Sequence, residues 1–164
     1  MPTVYEIRWT EFSYALLNSV LVSWKSLVTY FQKSNDVAAA GHMNFLTSFP
    51  NLQLLVFLAY MLFVYARFQK RLQCNSTTLI DMNDAVTNVM STVNSLKNQP
   101  LIGGWQETIL QSVVDNDEGK FLNGVHLSIP VARRQRHHFY VSDRRDITAV
   151  QNEIAESLVE FLHQ

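Results

Sequence analysis

The sequence has few of the residues that punctuate a chain: five glycines and four prolines in 164 residues. That scarcity excludes a fold of many short strands joined by tight turns and predicts long helical segments. The single cysteine, Cys74, leaves no internal disulfide, and nothing calls for an oxidising compartment. His42, His126, His137, His138 and His163 form no ligand pattern with it, so no zinc site is expected. Net charge is nearly absent too: 13 basic residues stand against 14 acidic ones, which excludes a globally basic nucleic-acid binder and leaves only a local patch. No basic segment leading into an apolar stretch opens the chain, so no signal peptide is expected and the setting is nuclear, with the cytosol as alternative. What the chain does have is apolar residues, 48% of the total, enough to fill one core.

Their spacing predicts helices. Phe12, Leu16, Val20, Trp24, Leu27 and Phe31 recur at steps of four and three and are expected to share one face of a single helix. Ser34-Asn35-Asp36 should end it and cap a short helix over Val37 to Thr47. Pro50 suits the first turn of a further helix. Its run from Leu52 to Ala66 is apolar nearly all round, a central buried helix rather than a membrane span, because Arg67, Lys70 and Arg71 cut it short. Thr78 and Asp81 resemble a capping box for a helix carrying the seam Leu79, Met82, Val86, Val89, Val93 and Leu96. That seam can pack inside one bundle or pair two chains into a homodimer. Gly103-Gly104 breaks the chain, and Trp105, Ile109, Leu110 and Val113 are read as restarting a helix. The stretch from Asp115 onward holds Gly119, Gly124 and Pro130 without a sustained period, so residues 115–146 are read as a long loop, with a short extended piece near Val125 to Ile129. A last helix carries Ile147, Val150, Ile154, Leu158 and Phe161 on one side and Glu153, Glu156 and Glu160 on the other. The expectation is all-α: a single domain over residues 1–164, a bundle of five to six helices with a central buried helix and a long loop before the last one.

Candidate chemistry is sparse. The row Glu153, Glu156 and Glu160 reads as a solvated helix face, and Asp115, Asp117 and Glu118 match no EF-hand spacing, so no metal site is expected. No nucleophile motif and no phosphate-cradling glycine loop occurs. The main charge feature is "RRQRHHFYVSDRR", in which Arg133, Arg134, Arg136, Arg144 and Arg145 surround His137, His138, Phe139 and Tyr140. Guanidinium forks among aromatic rings suit phosphates and unstacked bases. Asp143 and Asp146 offset Arg144 and Arg145, so an acidic protein partner or a plain surface segment fits as well.

The stretch "IRWTEFSYALLNSVLVSWKSLVTYF" resembles the Arg-Trp-led amphipathic helix of hAT-superfamily transposases and their domesticated descendants. "LLVFLAYMLFVYARFQKRLQCNSTTLIDMNDAV" and the arginine-rich segment before the last helix are similar to later parts of the same family, so the likeness covers most of the chain. It implies the all-helical domain inserted into an RNase H-like catalytic fold. It also implies that Trp9 would stack on a displaced base with Arg8 beside it for phosphate or structural pairing; the residues alone allow equally that Trp9 caps the core at the helix entrance. The family's chemistry needs three carboxylates holding two metal ions. None is expected before Tyr5, and the last would be expected beyond Gln164, so this stretch should have no catalytic residue, cofactor or metal of its own. The reading is therefore a non-catalytic protein-interaction module of a nuclear, domesticated hAT-like protein, with a protein partner and no membrane. The alternative is a DNA-handling domain that uses Arg8, Trp9 and the arginine-rich segment.

Overall fold

The computed structural model describes residues 4–74, 76–98, 108–109, 111–129 and 147–162. Among them six helices and three short strands follow in order: α1 (Val4–Val22), α2 (Trp24–Lys33), α3 (Val37–Thr47), α4 (Phe49–Leu72), α5 (Leu79–Asn98), β1 (Val113–Asn116), β2 (Gly119–Leu122), β3 (Val125–Leu127) and α6 (Ile147–Leu162). The fold is a mainly helical bundle with a small sheet at one end, as the helical periodicities predict. Helix α4 is its axis. One flank of α4 gives Leu52, Val56 and Ala59 to a core cluster with Leu21, Trp24, Val28, Leu46, Leu122 and Leu127. The other flank gives Phe57, Met61 and Phe68 to a second cluster with Ala85, Val89 and Val93 of α5 and Ala155 of α6. A helix serving two cores must be apolar on two sides, which is why the run from Leu52 to Ala66 shows no polar face. By length and composition alone α4 could cross a membrane, and here helices pack on both flanks of it.

Local chemistry explains the boundaries. Asp36 Oδ1 accepts from the Ala38 amide at 3.1 Å and opens α3 at Val37. Asp81 Oδ2 accepts from the Thr78 amide at 2.9 Å while the Asp81 amide donates to Thr78 Oγ1 at 3.2 Å, a reciprocal capping box built with Asp. Trp24, 2% exposed, donates from its indole Nε1 to the Leu46 carbonyl at 3.0 Å. That carbonyl lies in the last turn of α3, where the helix offers it no partner, so the indole fills a gap as it packs.

Two expectations need correction. Phe12 and Leu16 do not share the buried face of Trp24: α1 buries Thr10 and Leu21 instead, and Ser23, at φ −91° and ψ 9°, interrupts the helix between α1 and α2. Leu16-Leu17 and Val20-Leu21 are adjacent apolar pairs, so either face of α1 satisfies the period. The second correction concerns the long loop. Residues 113–127 form an antiparallel meander in the order β1-β2-β3, with Val113 opposite Leu122 and Leu122 opposite Val125. Val113 thus opens a strand rather than continuing a helix, although Thr108 and Ile109 just before it are helical. Asn123 and Gly124 take φ of 51° and 80°, the left-handed pair that a two-residue type I′ hairpin requires. The meander docks by backbone: the Ser128 amide donates to the Thr47 carbonyl at 2.8 Å and the Phe49 amide to the Ser128 carbonyl at 3.0 Å.

Candidate functional site

Helix α1 is apolar on two opposite sides. Its inner side meets α4, where the Tyr14 and Phe63 rings lie 5.4 Å apart and Leu21 joins the cluster of Leu52 and Val56, so the two helices run antiparallel. Tyr60 lies 6.4 Å from the same Phe63 ring, and the Arg67 guanidinium sits over it at 5.5 Å. This cation–π contact and the aromatic pairs fix α1 against the bundle axis.

The outer side carries Trp9, Phe12 and Leu16, spaced three and four apart and therefore in line over two turns. They are 60%, 67% and 53% exposed. Ala15 and Ser19, small and exposed, flank them, and no charged residue occurs between Glu11 and Lys25. Single exposed apolar residues such as Val37 are ordinary, whereas three large ones aligned on one helix mark a surface suited to association. Trp9 is exposed, so its ring does not cap the core. Arg8 lies on α1 beside it, and its side chain is outside the described residues. The period alone puts Phe12 and Leu16 on one face with Trp24; the signal for two apolar faces is the absence of any charged residue from Phe12 to Trp24.

Arg133, Arg134, Arg136, Arg144 and Arg145, with the aromatic and histidine residues between them, lie outside the described residues. Along the α5 seam, Val89 and Val93 are buried against α4 and α6 and Val86 packs beside them, Met82 is half-buried, and Leu79 at the helix start is 85% exposed. The Leu96 side chain is outside the described residues. The centre of the seam is thus occupied within one chain. Glu153, Glu156 and Glu160 are exposed, and no group of three or more metal-capable side chains is assembled among the described residues. Asp115 forms an ion pair with Lys120 across the first hairpin. Cys74 is exposed beside Ser76, and the hydroxyl and amide of Ser76 hold its thiol below the ordinary range.

Compared with models of known protein families, with curated proteins and with solved structures, the chain matches none.

Proposed function

We propose that the chain is a non-catalytic protein-interaction module, docking a protein partner through the Trp9, Phe12 and Leu16 stripe. The exposure of three large apolar side chains in line on a rigid, packed helix carries this reading. The resemblance of the same helix to the Arg-Trp-led helix of hAT transposases supports placing the module in a domesticated, nuclear protein of that kind. A photo-reactive residue at position 12, introduced in cells, tests it. Discrete cross-linked adducts are expected, lost when Trp9 and Leu16 are both changed to Glu, with none from the same probe at Val37. Equal yields at the two positions would defeat the proposal.

A second reading, DNA handling, draws on the open Trp9 ring, whose face is free to stack on an unpaired base. Anisotropy with hairpin DNA at low salt checks it. Binding that weakens in both Trp9→Ala and an Arg133, Arg134, Arg136 triple alanine variant would favour this reading, and no binding at low salt would remove it.

A further inference from the structure

We propose that Asn123 is a site of spontaneous covalent modification, at which the Gly124 amide closes on the side-chain carboxamide and the chain is left joined through an isoaspartyl residue. Asparagine is a labile residue, and the sequence sets it before glycine once. Both residues are exposed at the tip of the β2-β3 hairpin, and the register pairs Leu122 with Val125, so neither of them belongs to the ladder. The reaction needs the backbone nitrogen after the asparagine to be approachable. Glycine has no side chain to shield it, and a Cβ built at Gly124 would meet nothing within 4 Å, so the space around the turn is open. Asn35 is the contrast. It too is exposed, but the amide that follows it belongs to Asp36 and donates to Ser34 Oγ at 3.4 Å.

The chemistry needs only water. A solvent base takes the Gly124 N–H proton and the nitrogen bonds to Asn123 Cγ. The Cγ–Nδ2 bond breaks, and the departing nitrogen takes up a proton and leaves as ammonia, so that a five-membered imide remains. Water then opens the ring. Cleavage between the nitrogen and Cγ gives aspartate, whereas cleavage at the backbone carbonyl gives isoaspartate, in which the chain runs through Cβ and Cγ and gains a backbone atom. Asn123 and Gly124, at φ of 51° and 80°, form a two-residue turn, and the length of the turn fixes a hairpin's register. A longer link does not keep Leu122 opposite Val125. That register sends Leu122 and Leu127, both buried, into the cluster of Leu52 and Val56, so the modification loosens the meander from the bundle.

Incubation of the 164-residue protein in warm neutral buffer, followed by tryptic peptide mapping, tests this. The peptide of residues 121–133 should gain the mass of an amide-to-acid exchange at Asn123 several times faster than the peptide that holds Asn35, and fragmentation should identify isoaspartate in it. The modified protein is then separated by ion exchange and compared with freshly prepared Asn123→Asp. That variant bears the same new charge, keeps the backbone length and has a residue type that the turn accepts. The isoaspartyl protein should unfold at a lower denaturant concentration than Asn123→Asp, read by tryptophan fluorescence. Equal rates at Asn123 and Asn35, or aspartate as the sole product, would overturn the site. Coincident unfolding midpoints would overturn its effect on the meander.

Discussion

Gln69 is a residue whose chemistry conflicts with its place. It is 1% exposed on α4, and neither its amide nitrogen nor its amide oxygen has a hydrogen-bond partner. A buried polar group without a partner destabilises by about 1–3 kcal/mol, so Gln69→Leu should raise unfolding stability by roughly that amount in a denaturant titration. A loss of stability would mean that the amide contributes more than it costs. Asp81 is the opposite case, a polar group fully used. The Thr78 hydroxyl and amide both donate to its carboxylate, which holds it below the usual carboxylate range, with Arg71 adding a smaller pull. Because the folded value lies below the unfolded one, the cap's contribution is complete above the ordinary carboxylate pKa and disappears as pH falls through the lower folded value. The stability difference between the native protein and Asp81→Asn should therefore be constant near neutral pH and shrink in strong acid. A difference that does not change with pH would contradict this assignment.

At the level of elements, the ends of helices were more legible in the sequence than their faces. Asp36 and the Thr78–Asp81 pair announce helix starts with side chains whose only nearby use is capping, and α3 spans Val37 to Thr47 as its flanking residues predict. Which side of α1 turns inward was not legible, since adjacent leucines and valines satisfy the period on either side and no single residue type marks the interruption at Ser23. The exposed stripe of Trp9, Phe12 and Leu16 was hidden by the same ambiguity. Of the meander only β3 was legible, inside the extended piece near Val125 to Ile129, because the strands are four, four and three residues long, too short to show alternation. Its one strong signal, Asn123-Gly124 between Phe121-Leu122 and Val125, was in plain view and was masked by reading glycine as a loop marker. At Gly124 an added methyl has open space but must adopt a left-handed backbone. Gly124→Ala should therefore cost about 1–2 kcal/mol, measurable by thermal or denaturant unfolding, from conformation alone. An unchanged midpoint would show that the turn relaxes to another type.

For the whole molecule, the arrangement of two cores on one helix has a cooperative consequence. Leu52 belongs to one cluster and Met61 to the other, and both are buried. Truncating either to Ala should cost about 2–5 kcal/mol. Because α4 is common to both, each variant should still unfold in one transition by far-UV circular dichroism and by tryptophan fluorescence alike. Two separated transitions would mean that the clusters melt independently. The backbone clasp between Thr47, Phe49 and Ser128 joins residues 81 positions apart in the chain. During synthesis, then, the first half of the protein emerges with the start of its axial helix still lacking that partner, and only the later arrival of the little sheet closes it. Deuterium protection at the Phe49 amide would work as a clock hand for the sheet's arrival, silent in any nascent chain released before Ser128.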